Sequence, residues 1–113
     1  MKITKLEAIP LRVKQVDATA NDGAQETVIV KVYTDTGITG LGEVDASPHM
    51  IKAALEAPSS HNWSLSFQDL LIGENPLDVE RLWDKMYQGT IYTGRRGLII
   101  HAIGAVDLAL WDI

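Results

Sequence analysis

The sequence predicts an α+β domain, in which a three-stranded antiparallel meander is followed by a bundle of helices. Three observations support this fold class. β-Branched and apolar residues dominate the first 44 residues, an Asp-x-Gly turn signal at residues 34–37 separates two strand-like runs, and apolar residues recur at helical spacing further along. The 113 residues show no repeat, linker or second domain.

The first strand is predicted over residues 3–13, where apolar and polar residues partly alternate. Residues 14–25 are mostly small or polar, which predicts a loop. This loop is longer than the connection of about two to five residues that is usual in hairpins. Long loops in compact domains are often functional, so residues 14–25 are a candidate binding segment.

A β-hairpin is predicted over residues 26–44. A β-branched run at residues 26–33 leads into the turn, where Gly37 provides a left-handed conformation, and the next strand covers residues 38–44. Gly40 and Gly42 lie inside this last strand. They indicate either a bulge or the close approach of another backbone.

Helices are predicted from residue 47 onward. Ser47 is the expected N-cap and Pro48 the first residue of a helix that ends at residue 56. Residues 57–66 form a second long polar loop, and residues 67–72 form a short helical turn.

Two longer helices complete the predicted bundle. The first begins at Asn75–Pro76 and ends near Gly89, and the second begins at Leu98 after a connection over residues 91–97. Apolar side chains share one face of the first of these helices, namely Val79, Leu82, Trp83 and Met86.

Composition and charge exclude several classes of protein. With 46% hydrophobic and 22% charged residues, the sequence is typical of a soluble globular domain. A net charge of −5 argues against nucleic-acid and anionic-membrane partners, which bind basic surfaces. The sequence has no cysteine and no signal peptide, and its most apolar stretch, residues 98–113, is too short to span a membrane. We therefore expect a cytoplasmic protein.

No complete catalytic group is evident. His101 and Asp107 lie six residues apart on the last helix, which at about 100° per residue points their side chains in different directions. We interpret His101 as a core or interface residue. Asp107 and Asp112 lie in an apolar run, so each is expected to contact a basic group or an exposed backbone amide, with ion pairing favoured.

Other local patterns favour structural roles over functional ones. A metal site is disfavoured at Glu43, Asp45 and His49, because these residues are divided between a strand and a helix start. The glycines of residues 37–42 lack the Lys-Ser/Thr of a phosphate-binding loop. Core or interface positions are predicted for all three tryptophans, Trp63, Trp83 and Trp111.

Two polar features are candidates for ligand binding. Ser60 and His61 are adjacent, which rarely suits a nucleophile and its base but suits recognition of a hydroxylated ligand. Arg95 and Arg96 lie at a predicted helix N-terminus, an environment that favours a carboxylate or phosphate. Alternatively, one or both arginines pair with an acid such as Glu80 or Asp107.

Three segments carry a resemblance to a known family: TDTGITGLGE (34–43), ENPLDVERLWDKMY (74–87) and GAVDLALWDI (104–113). Together they resemble the N-terminal capping domain of the enolase superfamily, in the branch of mandelate racemase and muconate lactonizing enzyme. The resemblance covers essentially the whole chain. YTGRRG (92–97) is most similar to members that are acid-sugar dehydratases and racemases.

The resemblance implies that residues 1–113 are a capping domain without its catalytic (β/α) barrel, which would follow residue 113. It also implies a Mg²⁺-dependent dehydratase or racemase that abstracts the proton α to a carboxylate. Its metal ligands and acid/base residues would lie in the barrel, so we assign no catalytic or metal-binding residue in this chain. The implied partners are a small carboxylate such as an acid sugar, the chain's own barrel and further copies of the protein.

In this family, two loops of the capping domain close over the barrel mouth and select the substrate. The resemblance places these loops at residues 14–25 and 47–66. The substrate-binding residues that we expect are Asn21, Asp22, Ser60 and His61 for hydroxyl groups, and Arg95 or Arg96 for an anionic group or for bracing a loop.

Two other functions remain open from the sequence. The chain could be a stand-alone ligand-binding or protein-interaction module without catalysis, or a hydrolase that uses Ser60 and His61. The apolar character of residues 98–113 adds one structural expectation: the last helix packs on the meander with one side and on a part of the protein beyond these residues with another.

Overall fold

A computed structural model describes residues 1–21 and 24–113. Within these ranges, the strands are β1 (Ile3–Arg12), β2 (Glu26–Thr34) and β3 (Thr39–Val44), and the helices are α1 (Pro48–Glu56), α2 (Phe67–Leu71), α3 (Val79–Gly89) and α4 (Leu98–Asp112). The strands form one antiparallel sheet in the order β1-β2-β3. The predicted α+β fold class, a meander followed by helices, is therefore confirmed.

One face of the sheet forms the core together with the helices. Two rows of residues across the strands are buried on this face, Ala8–Val30–Gly42 and Leu6–Val32–Gly40. The opposite face is at least partly exposed in the row formed by Glu7, Lys31 and Leu41. Burial on one face is the arrangement that alternating apolar and polar residues in a strand indicate.

The two glycines of β3 allow α4 to lie directly against the strand. A Cβ atom added to Gly42 would come within 1.9 Å of the carbonyl oxygen of Ala105, and one added to Gly40 would come within 1.9 Å of that of Ala109. The register between β2 and β3 is continuous from Val28 to Tyr33. Of the two sequence interpretations, close backbone approach is therefore confirmed and a bulge is wrong.

Most of the apolar surface of α4 is buried inside this domain, but one side of the helix remains exposed. The buried residues are Ile99, Ala102, Ile103, Ala105, Val106, Ala109 and Leu110. His101, Leu108 and Trp111 lie on the exposed side, so His101 is not a core residue. A core position is also wrong for the three tryptophans, whose exposed fractions are 73% for Trp63, 38% for Trp83 and 70% for Trp111.

Side chains of the helices form hydrogen bonds with backbone groups at both edges of the sheet. At the β1 edge, Lys52 donates to the carbonyl oxygen of Ala8 (2.9 Å), and Glu56 accepts from the Ala8 amide (3.3 Å). At the β3 edge, the Asp112 carboxylate accepts from the Leu41 amide at 2.8 Å. Charged groups at these positions oppose edge-to-edge pairing with another chain. Of the two partners expected for Asp112, the backbone amide is therefore confirmed, and the favoured ion pair is not found among the described residues.

One predicted helix start is wrong, that of α3, and another is confirmed, that of α1. α3 begins at Val79 and not at Asn75–Pro76, because the Asn75 side chain accepts a hydrogen bond from the Leu77 amide (3.3 Å) and holds these residues in a turn. Ser47 is the N-cap of α1 and Pro48 its first residue, but the Ser47 side chain makes no capping hydrogen bond. No helix in the described parts of the chain is long and apolar enough to cross a membrane.

The connection between α2 and α3 contains an ion pair that is expected to make stability depend on pH. Arg81 and Lys85 both donate to the Glu74 carboxylate, Arg81 at 2.6 Å. These hydrogen bonds, first that of Lys85 and then that of Arg81, hold the pKa of Glu74 below its ordinary value of 4.5. A carboxyl group whose pKa is lower in the folded chain adds stability above its unfolded pKa, and this contribution disappears as the pH falls through its folded pKa.

We therefore expect Glu74→Gln to lower the free energy of unfolding at pH 7 by about 1 kcal/mol or less, and to flatten the decrease below pH 4.5. Urea denaturation between pH 3 and pH 7 measures both effects. Glu80→Gln is the matched control, because Glu80 makes no ion pair among the described residues. Identical pH profiles for the two variants would contradict the assignment.

Candidate functional site

The long β1–β2 loop and the β3–α1 junction lie at the same end of the sheet. β1 ends at Arg12, which pairs with Glu26 at the start of β2, and Val28 of β2 pairs with Val44 at the end of β3. An open cavity of about 690 Å³ lies at this end. Its lining comes from all three strands and the loop, and includes Arg12, Val13, Gln25, Thr27, Glu43 and Asp45.

The polar lining of this sheet-end cavity is suited to hydroxyl groups. Arg12 and Glu26 form an ion pair at 3.5 Å, and the Thr27 hydroxyl contacts the Glu43 carboxylate and the Val44 carbonyl oxygen (3.1 Å). Glu43 and Asp45 are exposed. Ionised carboxylates only accept hydrogen bonds and hydroxyl groups can donate them, so this cavity can hold a polyhydroxylated ligand.

The base of the β1–β2 loop is held by side-chain hydrogen bonds. The Gln25 amide accepts from the Asp17 backbone amide (2.6 Å) and donates to the Asp17 carbonyl oxygen (2.9 Å). Hydrogen bonds from the Thr19 hydroxyl and amide to the Asp17 carboxylate hold the pKa of Asp17 below its usual value. Asn21 is exposed near the tip of this loop. Asp22, also predicted to bind substrate, lies outside the described residues.

A second cavity, of about 300 Å³, separates the other loop from the α3–α4 connection. Its apolar lining includes Leu65, Phe67, Leu98 and Ile99, whereas its polar lining includes Ser64, Thr93 and Arg96. It shares no lining residue with the sheet-end cavity. An arginine together with apolar lining residues favours a ligand with one anionic end.

The structure brings three of the predicted substrate-binding residues to this region. His61 contacts Tyr92 edge-on, with ring centroids 5.1 Å apart, and Tyr92 belongs to the segment that carries Arg96. Ser60 is paired with Ser64, since its amide donates to the Ser64 carbonyl oxygen at 3.0 Å. Arg95 is exposed and lines neither of these two cavities.

The arginine pairing expected as an alternative is not found. Neither Arg95 nor Arg96 forms an ion pair with any described acid. The expected ion pairing of Asp107 is likewise wrong over the described chain. Asp107 is half-buried, and burial raises its pKa.

The described residues do not form a catalytic or metal-binding group. No cluster of three or more histidines, cysteines, aspartates or glutamates could hold a metal ion there. Ser60 makes no described hydrogen bond to His61, whose Nδ1 accepts from the Trp63 amide at 3.2 Å. The described arrangement is therefore suited to binding, and the resemblance places the Mg²⁺ ligands in the barrel and not among these residues.

Sequence reasoning missed two candidate residues, Arg12 and Tyr92. Arg12 lies inside the predicted first strand, two residues before the long loop begins. Tyr92 lies in YTGRRG, where the arginines alone were considered. The sequence signal for both residues is their position next to a segment that was already a candidate for ligand binding.

Comparison with known proteins supports the family resemblance. A sequence model of the N-terminal domain of mandelate racemase / muconate lactonizing enzyme matches residues 4–113. An L-rhamnonate dehydratase from Saccharopolyspora erythraea is 34% identical over 87 residues, which is 77% of this chain and 20% of that protein.

Solved structures share the fold over almost the whole chain. A predicted mandelate racemase from Rhodobacter sphaeroides has a TM-score of 0.82 at 26% identity, with 98% of this chain and 28% of that one covered. A racemase from Streptomyces coelicolor A3(2) solved with bound magnesium has a TM-score of 0.74 at 23% identity, with 96% and 30% covered, and shows the fold alone.

The chain thus spans about a fifth of the curated relative and less than a third of these solved proteins. The family match covers every described strand and helix except Ile3, the first residue of β1. From these findings, the chain belongs to the mandelate racemase / muconate lactonizing enzyme family of the enolase superfamily, as an N-terminal domain.

Proposed function

We propose that this chain is the substrate-selecting cap of an acid-sugar dehydratase or racemase that abstracts the proton α to a carboxylate. The observation that carries the proposal is the 34% identity to an L-rhamnonate dehydratase over 77% of the chain. The relative is about five times longer than the matched segment, which supports a catalytic barrel beyond residue 113. Mg²⁺ ligands and acid/base residues then lie in that barrel, outside the residues described above.

The sheet-end cavity is the proposed contact surface for substrate hydroxyls. It lies beside the loop that carries Asn21, and its carboxylates provide several acceptors. We propose Asn21, Asp22 and Arg12 as substrate-binding residues at this end, with Ser60, His61 and Arg96 as a second contact group. A cap that closes over its substrate excludes water and strengthens the electrostatic interactions inside the site.

The full-length protein, expressed from the complete gene, tests this proposal. It should release a 2-keto-3-deoxy product from an acid sugar, or exchange the α-proton in D₂O, and chelation of Mg²⁺ should stop either reaction. A panel of epimeric acid sugars, followed by NMR, separates dehydration from racemisation. A complete gene without a barrel-sized segment after residue 113, or a full-length protein that exchanges no α-proton, would favour the stand-alone binding module.

The two adjacent arginines provide a matched test of the second contact group. Arg96→Ala is expected to raise the KM for the carboxylate substrate about 10-fold or more, because a charge-assisted hydrogen bond is lost. Arg95→Ala removes the same charge from a residue that lines neither of the two cavities, and should change KM less than about 2-fold. Equal effects of the two substitutions on KM would exclude Arg96 as a specific contact.

A further inference from the structure

A small cavity between α3 and α4 has a composition unlike that of the two cavities described above. It measures about 280 Å³ and is lined by Val79, Glu80, Trp83, Asp107 and Trp111. Trp83 stacks on Tyr87, with ring centroids 5.3 Å apart and planes inclined by 15°. Two exposed indoles and two carboxyl groups therefore surround one space, which we call the Trp–acid cavity.

No cation of the described chain neutralises this cavity. Glu80 and Asp107 form no ion pair with a described basic residue. The nearest arginine in sequence, Arg81, pairs with Glu74 at 2.6 Å and with Asp78 at 3.1 Å. Asp107 is half-buried beside the indoles, so its negative charge has lost part of its water. This combination favours a positive ligand and disfavours an anionic substrate.

We propose that the Trp–acid cavity binds a small organic cation, the alkylammonium or guanidinium group of a ligand or of a basic side chain. The indole faces would attract the cation through their quadrupoles, and the Asp107 carboxylate would pair with it. The two indoles would also cover the apolar part of such a group. The ligand of this site has the opposite charge to a carboxylate substrate, so the proposal goes beyond the capping function.

The full-length protein and two probes test the proposal. Tetramethylammonium chloride represents a free ammonium ligand, and N-acetyl-arginine amide represents a basic side chain. NMR of the indole N–H groups should show saturable shifts of Trp83 and Trp111 with at least one probe. Trp63, which lies outside the cavity, should respond only as it does to NaCl at equal ionic strength. The probe whose shifts reach saturation shows whether the site takes a free ammonium ligand or a basic side chain.

Two variants with the same change in net charge complete the test. Asp107→Asn should weaken binding about 5-fold or more, whereas Asp84→Asn, an exposed residue of α3 outside the cavity, should leave it within about 2-fold of the parent. Saturation by neither probe in the parent chain overturns the proposal, and this result does not depend on any variant folding. Equal weakening by both variants also overturns it, since general charge would then account for the binding.

Discussion

Gly42→Ala is expected to lower the free energy of unfolding of the chain by at least about 3 kcal/mol, the upper end of the usual cost of overpacking. The added Cβ would come within 1.9 Å of the Ala105 carbonyl oxygen, and 3.0 Å from the Ala109 nitrogen. These are backbone atoms of α4, so no change of rotamer can relieve the clash. Either the helix or the strand must move, and α4 carries a large part of the core.

Gly104→Ala is the matched control for this prediction. Gly104 lies in the same helix, and a Cβ added there meets nothing within 4 Å. Alanine has the higher helix propensity, so this variant should gain up to about 1 kcal/mol. Urea denaturation of the parent and the two variants measures both changes. A Gly42→Ala variant that is as stable as the parent would show that α4 does not lie against β3 as described.

Excision of residues 14–24 from the full-length enzyme is expected to lower kcat/KM about 100-fold or more, if the capping function proposed above is correct. The Val13 amide donates to the Gln25 carbonyl oxygen at 2.9 Å, so the two strands are already paired at the base of the loop. An Asn-Gly turn can therefore close β1 onto β2. The domain should keep its sheet and lose the segment that is proposed to cover the substrate.

Steady-state kinetics and thermal unfolding of the same preparation separate loss of function from loss of fold. Thr36→Ala, in the turn at the other end of the sheet, is the control and should leave kcat/KM nearly unchanged. If the excised enzyme keeps kcat/KM within about 3-fold of the parent, the β1–β2 loop does not select the substrate, even if the barrel is present.

Local chemistry made most of the fold predictable. The Gly37 turn has the expected left-handed conformation, with φ of 85°, and the hairpin around it has the predicted strands to within one residue. The face of α3 that contains Leu82 and Met86 is buried as its spacing indicates. The predicted start of α3 is wrong because Asn75 resembles an N-cap in sequence. Its side chain instead accepts a hydrogen bond within a turn, three residues before Asp78, the N-cap of α3.

The candidate site was less predictable than the fold. Composition alone identified the loop at residues 14–25, but its relation to Arg12 and Asp45 depends on how three strands end together. Arg95 and Arg96 are equivalent in sequence, and only the packing of α4 turns one of them toward a cavity. Trp83 and Trp111 are separated by almost the length of two helices, so nothing in the sequence indicated a shared cavity.

Residues close along the chain determined the elements, the turn, the two long loops and the family. Tertiary packing alone decided which glycine interpretation was correct, which acids remained without a partner and which side chains line each cavity. The physical reason is the distance along the chain between the residues that interact. Turn conformations and helix spacing depend on neighbours a few residues away, whereas the contact of Gly42 with Ala105 and the partly desolvated Asp107 exist only after distant segments have packed together.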